Sequence, residues 1–242
     1  MVHVVTAANR HFYEHQLIES FKIRHKIYVE GRGWETLRRP DGLERDQFDN
    51  DDAVYLLVLE GDEGRVIGGS RLVPTLKPHL MSEVFPQLAS QRPLPRATNV
   101  FEWTRIFVVS ERRGGSAMSS TTGRIYCAIQ EYCLSENISR LSIVTEPVWI
   151  PRFLELGWNP IPLGLPIQHE SGPVVGITVD VSEAILSNTR SVRGISRPVL
   201  VKRHISVPSV SADAPIESGQ PLARGSTALR AEHAGTPLQY DK

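Results

Sequence analysis

The segment from Asn99 to Val109, Asn-Val-Phe-Glu-Trp-Thr-Arg-Ile-Phe-Val-Val, constrains this chain more than any other. Its β-branched and aromatic content marks a central strand. It also carries Glu102 and Arg105, and charges are seldom buried without partners because desolvation is costly. Either the two pair with each other for structure, or they hold a polar substrate. Strand alternation sets Phe101, Trp103, Arg105, Phe107 and Val109 on one face and Val100, Glu102, Thr104, Ile106 and Val108 on the other. In a regular strand Glu102 and Arg105 therefore face opposite ways. For both to serve one pocket, a bulge must re-aim one of them, and bulges concentrate beside active sites.

Upstream, residues 11–29 have the pattern of an amphipathic helix, with Leu17, Phe21 and Tyr28 on its inner face and Arg24 among them. Arg24 either snorkels outward or binds something. His11 and His15 are spaced as a metal pair, but no third ligand is in view, so solvated histidines and no metal are expected. A long irregular segment follows from Glu30 to Asp52, and a loop of this length inside a domain is usually functional or disordered. Trp34 and Phe48 argue that it is docked. Its acidic run of Glu44, Asp46, Asp49, Asp51 and Asp52 lacks the glycine and terminal glutamate of a calcium loop. Val54–Glu60 and Arg65–Pro74 read as an antiparallel pair around a Gly61–Gly64 turn. Arg71 is then a cation over the sheet, and Gly68 and Gly69 suggest a bulge or a close backbone approach.

A short helix over His79–Leu88 and a proline-rich linker over Gln91–Ala97 lead into the central strand. After it, Arg112, Arg113, Gly114, Gly115, Ser116 and Ala117 precede a helical pattern running from Met118 to Tyr132. Glycines and arginines before a helix start can bind phosphate through free backbone N–H groups, although a plain capped turn has the same look. Leu141–Thr145 reads as a buried strand, Pro147 as the first residue of a helix that Gly157 ends, Ile161–Gln168 and Val174–Val181 as strands, and Ser182–Asn188 as a short helix. The class is α/β, a three-layer mixed twisted sheet.

The chain has 242 residues, 27 Lys+Arg against 27 Asp+Glu and 40% hydrophobic content. That is enough for one sizeable core, and with no net charge nothing steers the protein to nucleic acid or to a membrane surface. The longest apolar stretch is too short to span a bilayer, so a soluble, cytoplasmic protein is expected. Cys127 and Cys133, six apart in a helical pattern, lie beyond disulfide reach and read as core residues. Beyond Arg203 the composition turns to Pro, Ser, Ala and Gly, giving a domain over 1–203 and a flexible tail over 204–242.

Arg24 with Tyr28, Trp34, Asp46-Gln47-Phe48-Asp49, Arg71 in Gly-Ser-Arg-Leu, and Glu102-Trp103-Thr104-Arg105 together resemble the N-acyl-homoserine-lactone synthases, over about residues 1–200. Tyr28 stands where that family usually has Phe, and Thr104 where it usually has Ser. The resemblance implies a fold similar to the N-acetyltransferases, whose sheet splays to admit a thioester arm. It implies two substrates, S-adenosylmethionine and an acyl thioester, with an acyl-homoserine lactone and methylthioadenosine as products and no separate cofactor. It places Arg24, Tyr28, Trp34, Asp46, Asp49, Arg71, Glu102 and Arg105 around the S-adenosylmethionine and the reaction centre. Within this picture Glu102 is the candidate base and Asp46 its electrostatic partner. Arg24 and Arg105 hold the substrate carboxylate or organise the loop, and Arg71 bridges that loop to the sheet.

The run Arg112, Arg113, Gly115, Ala117 fits an Arg-x-x-Gly-x-Ala pyrophosphate loop and favours acyl-CoA over acyl carrier protein as donor. The acyl chain is expected along the central strand and Ile143–Trp149, touching Trp103, Thr104, Phe107, Thr145 and Trp149. Trp103, Phe107, Trp149 and Phe153 are bulky, which suits a short, branched or aromatic acyl group, and each equally fits an ordinary core position. Two other readings remain: a CoA-dependent N-acyltransferase acting on another amine, and a non-catalytic module that binds the thioester or S-adenosylmethionine.

Overall fold

Valine-rich and leucine-rich alternation over β2 (Val54–Glu60) and β3 (Arg65–Pro74) builds the hairpin at the centre of the sheet. Gly61 and Gly64 at its turn both adopt positive φ, 74° and 67°, which glycine reaches without steric cost. The structure is a computed structural model and describes residues 1–61, 64–109, 120–170 and 172–201. The Arg112–Ala117 loop and the 204–242 tail lie outside the described residues.

The remaining elements are β1 (Val2–Val5), α1 (Glu14–Arg24), α2 (Leu80–Glu83), β4 (Val100–Val108), α3 (Ser120–Ser135), β5 (Arg140–Thr145) and α4 (Ile150–Glu155). After them come β6 (Ile161–Pro162), β7 (Ile167–His169), β8 (Gly172–Asp180), α5 (Glu183–Arg193) and β9 (Leu200–Val201). The strand order is β6-β8-β5-β4-β3-β2-β1-β9, with β7 also paired to β8. β4 with β5 and β1 with β9 are parallel, and the other pairs are antiparallel.

Alternation along β2 sorts the two faces. Val54, Leu56 and Val58 join Ile125 and Ile129 of α3 in the larger core, while Tyr55 and Leu57 join Tyr13 and Leu17 beside α1. Helices therefore cover both faces of a mixed sheet, giving the three layers expected. Leu56 is fully buried, and burial of one such side chain contributes roughly 1.5–3 kcal/mol. Both cysteines of α3 are buried and free. Among the described residues no helix is long and apolar enough to cross a membrane, and no group of three metal-ligating side chains is assembled.

Several elements differ from their expected extents. The 11–29 helix is α-helical only over Glu14–Arg24 and widens into a π turn over His25–Glu30. The 79–88 helix shrinks to α2 and a 3-10 turn over Pro86–Leu88, because Pro86 has no N–H to continue a helix. The 161–168 strand breaks into β6 and β7, since Gly164 packs against the Leu88 carbonyl and Ser90 where no side chain fits. The helix after Ser182 runs on to Arg193, capped at its start by the Ser182 hydroxyl and stopped by Gly194 at φ 63°.

One irregularity shapes the molecule. β4 and β5 pair only over Val100–Glu102 and Arg140–Ser142. β4 stays with β3 as far as Val108, and β5 stays with β8 as far as Thr145. The sheet forks just beyond Glu102 and Ser142.

Candidate active site

The bulge required by strand parity lies at the fork. Thr104 pairs with Arg71 and Phe107 with Gly69, so Arg105 and Ile106 together face Ser70 alone. Arg105 takes the left-handed conformation, φ 55°, which costs a side-chain-bearing residue on the order of 1–3 kcal/mol. The extra residue shifts the alternation. Phe107, expected on the face of Trp103, instead shares the Glu102 and Thr104 face and lays its ring over Gly69, where a β-carbon would sit 2.9 Å from Phe107 Cζ. Arg105 is likewise turned to the acidic loop that Arg71 reaches from β3.

Arg24, Arg71 and Arg105 meet Glu44, Asp46 and Asp49 in a closed ring of alternating charge. Around it the contacts are Arg24–Glu44 2.5 Å, Glu44–Arg105 3.0 Å, Arg105–Asp46 2.9 Å, Asp46–Arg71 2.6 Å, Arg71–Asp49 2.9 Å and Asp49–Arg24 2.8 Å. Arg24 grips Asp49, and Arg71 grips Asp46, through two nitrogens each, the fork geometry that makes Arg–carboxylate pairs strong. Side-chain exposure is 0–2% for Glu44, Asp49, Arg24 and Arg71 but 7% for Arg105 and 12% for Asp46, so the ring meets solvent along its Arg105–Asp46 edge. Burial would raise the Glu44 and Asp49 carboxyls, yet the guanidinium groups win. Arg105 and Arg24 hold Glu44 below its ordinary range, and Arg71 and Arg24 hold Asp49 well below its own. In turn Arg24 and Arg71 are raised despite their burial.

Each of the three arginines is thus committed to loop carboxylates. Of the two roles considered for Arg24 and Arg105, the contacts are those of loop organisers. Arg71 also donates from Nε to Thr104 Oγ1 at 3.1 Å, which bridges the loop to the sheet. The sequence does not distinguish Glu44 from its acidic neighbours, yet it is fully buried in the ring between Arg24 and Arg105. The available signal was its spacing of two from Asp46, which lets both side chains reach Arg105 from one extended segment.

Glu102 stands apart from the ring. Its carboxylate accepts the backbone N–H groups of Leu80 at 2.8 Å and Met81 at 2.7 Å, occupying the N-terminus of α2. Burial pushes its pKa up to about 7, against the opposing pull of those two N–H donors and of Arg71 and Arg105. Glu102 and Arg105 form no pair in the structure, so the first of the two readings for these charges does not hold.

Aromatic side chains close the surroundings. The π turn carries Tyr28, whose hydroxyl donates to the Ile106 carbonyl in the bulge at 2.6 Å and whose ring stacks on Trp34 with centroids 5.0 Å apart. Arg32 lies over Trp34 and pairs with Glu146 at 2.8 Å, linking this segment to the end of β5. On the opposite face of the sheet Trp103 meets Tyr126, Phe153 and Trp158. Thr145 ends β5, with its hydroxyl 3.5 Å from the Glu146 carbonyl, and Trp149 is 39% exposed. The structure therefore gathers Arg24, Tyr28, Trp34, Asp46, Asp49, Arg71, Thr104, Arg105 and Phe107 around the bulge, with Glu102 at the fork, Trp103 behind it, Thr145 at the end of β5 and Trp149 in the 3-10 turn that follows.

The profile of the autoinducer synthases matches residues 9–186. The chain belongs to the autoinducer synthase family. It is 48% identical over 186 residues to the isovaleryl-homoserine lactone synthase of Bradyrhizobium diazoefficiens, covering 77% of this chain and 82% of that relative. Among solved structures it is similar to BjaI, a CoA-dependent acyl-homoserine lactone synthase determined with SAM and isopentyl-CoA. The TM-score is 0.77 at 45% identity, over 83% of this chain and 92% of that one. A second CoA-dependent synthase, MesI, superposes with a TM-score of 0.75 at 42% identity, over 83% of this chain and 98% of that one. In family terms the chain is an acyltransferase, and it shares its overall fold with these solved relatives.

Proposed function

We propose that this synthase joins S-adenosylmethionine to a short or branched acyl-CoA, releasing an N-acyl-homoserine lactone, free CoA and methylthioadenosine. The observation that supports this most is the fork at Glu102 and Ser142, where β4 and β5 cease to pair beside a buried carboxylate and the least buried edge of the charge ring. The similarity to relatives named for CoA-dependent synthesis and for an isovaleryl product supports the same donor class. Arg112, Arg113, Gly115 and Ala117 are assigned to the CoA phosphates on their sequence pattern.

In the first step the S-adenosylmethionine amine attacks the thioester carbonyl, the C–N bond forms, and the C–S bond breaks. An α-amine has a pKa of about 8, so the free base is accessible near neutrality, and the nitrogen becomes far more acidic once it has attacked. Glu102 accepts that proton, directly or through one water, and passes it to the departing CoA thiolate. With its pKa pushed up to about 7, it is a better matched base than a carboxylate of ordinary acidity. In the second step a methionyl carboxylate oxygen attacks the γ-carbon, the sulfonium C–S bond breaks, and neutral methylthioadenosine leaves with no proton transfer. The Arg105–Asp46 edge positions the zwitterionic substrate, and positioning can supply several kcal/mol, up to about 7. The acyl group enters the fork past Thr104 and Phe107 on one face of the sheet, with Trp103 on the other face and Thr145 and Trp149 flanking it, and Tyr28 and Trp34 wall the S-adenosylmethionine side.

Incubation with S-adenosylmethionine and a panel of acyl-CoA and acyl carrier protein thioesters, read by mass spectrometry, tests this. Methylthioadenosine and an acylated lactone from acyl-CoA are expected. Acylation of another amine without methylthioadenosine would refute the reading, and preferential turnover of acyl carrier protein would refute the choice of donor.

A further inference from the structure

Ser70 has no place in the chemistry above, yet it occupies the one position on β3 that faces both bulge residues. Its side chain points to the α3 side of the sheet, as Leu56, its register partner on β2, does. It is 3% exposed and makes two side-chain hydrogen bonds: its hydroxyl donates to the Thr104 carbonyl at 3.2 Å and accepts the indole N–H of Trp103. The Thr104 carbonyl lies where the bulge breaks the ladder, so one hydroxyl couples the backbone of the bulge to the orientation of a tryptophan ring.

That ring is the first side chain on β4 beyond the last β4–β5 pair. Its other neighbours, Tyr126, Phe153 and Trp158, touch it edge-on or tilted, at centroid separations of 5.6–5.9 Å. Such contacts tolerate several ring orientations, whereas a hydrogen bond from the indole N–H selects one. Trp158 is itself fixed, through its indole N–H to Thr189 Oγ1 at 2.9 Å, so the wall behind Trp103 does not yield.

We infer that Ser70 is a positioning residue for acyl selectivity: by fixing the Trp103 indole across the base of the fork, it sets the depth available to the acyl chain. This rests on the proposed reading that the acyl group lies in the fork. Ser70→Ala removes the acceptor and releases the ring, so the pocket deepens, while the Arg105 side chain stays held by Glu44 and Asp46.

The test is the ratio of kcat/KM for octanoyl-CoA to that for isovaleryl-CoA, with the KM for S-adenosylmethionine measured alongside. A few methylenes in an apolar pocket discriminate by roughly 10-fold or more, so Ser70→Ala is expected to raise the ratio by about 10-fold while leaving the KM for S-adenosylmethionine unchanged. Ser70→Thr, which keeps the hydroxyl, is expected to retain the wild-type ratio. Ser70→Cys, close in volume but a weak acceptor, is expected to shift it in the same direction as alanine and serves if the alanine variant does not fold. In a Trp103→Phe background, Ser70→Ala is expected to add no further change. An unchanged ratio in the folded variant, an equal loss with every donor, or a full Ser70→Ala shift without the Trp103 indole would each overturn the inference. A wild-type protein that releases no methylthioadenosine with any donor would instead defeat the functional reading on which it rests.

Discussion

Replacing Glu44 by Gln tests whether the six-membered charge ring acts as a unit. The substitution keeps the size of the side chain and removes one of three negative charges, leaving Arg24 and Arg105 to share the remaining carboxylates. Glu44 accepts from Arg24 Nε at 2.5 Å and from Arg105 Nε and Nη2 at 3.0–3.2 Å, and an amide can present only one oxygen to those donors. Removing one partner of a buried ion pair costs about 3–5 kcal/mol, because an uncompensated charge stays behind. With a urea slope of about 2 kcal/mol per M, the unfolding midpoint is expected to fall by about 1.5–2.5 M.

The decisive comparison is a double-mutant cycle with Arg105→Gln. The double variant loses one charge of each sign and leaves Arg24, Asp49, Arg71 and Asp46 as a neutral chain. It is expected to be more stable than the sum of the single effects by about 2 kcal/mol. The left-handed backbone at position 105 is strained with either residue, so that contribution cancels. Additivity within about 0.5 kcal/mol would show the six charges to be independent pairs and would refute the ring as a coupled unit.

Glu102→Gln sets an amide NH2 against the backbone N–H of Leu80 or Met81, so beyond the roughly 10²-fold fall in turnover expected for a lost base, it is expected to lower stability by about 1–3 kcal/mol in denaturant titration. An unchanged stability would show that α2 does not depend on this carboxylate. Because the folded pKa of Glu102 lies near 7 and its ordinary value is 4.5, its protonated form favours the fold, and its contribution to stability declines as pH rises from about 4.5 to 7. Glu44 and Asp49 act in the opposite sense: their stabilisation is present above pH 4.5 and is lost as pH falls through their depressed values. The stability difference between wild type and Glu102→Gln should therefore widen as pH falls from about 7 to 4.5, because only wild type gains from protonating this carboxyl, and parallel curves would contradict the raised pKa. Gly69→Ala places a methyl group 2.9 Å from the Phe107 ring and 3.0 Å from the Leu56 carbonyl oxygen, and a loss of about 1–3 kcal/mol is expected in thermal unfolding, with an unchanged midpoint counting against the tight packing of that ring.

Much of the geometry of the candidate site was legible because charge and strand parity are readable without coordinates. Glu102 and Arg105 on one apolar strand demanded a bulge, and the bulge lies one residue beyond the Arg71–Thr104 pair. β2 and β3 were bounded correctly because glycines flank their turn and apolar alternation fills them. Other features depend on tertiary pairing that no local pattern encodes. β1 and β9 span four and two residues, too few for periodicity to register, and exist through the register of Val2 with Val58 and with Leu200. The burial of Glu44 depends on where Arg24 and Arg105 arrive from distant elements. The role of Glu102 at the start of α2 was hidden because α2 has only four residues and lies about twenty positions upstream.

The charge ring also bears on the order in which the chain assembles. Its contacts close loops of between 20 and 61 residues, joining α1, the acidic loop, β3 and β4. No segment can complete it alone, and six desolvated charges are unfavourable until all four have arrived, so the ring is expected to form late, on the native side of the folding barrier. Contacts of that kind leave the folding rate nearly untouched and instead slow unfolding. The carboxylates and guanidinium groups that close the ring are therefore expected to set the lifetime of the folded chain rather than the speed at which it forms.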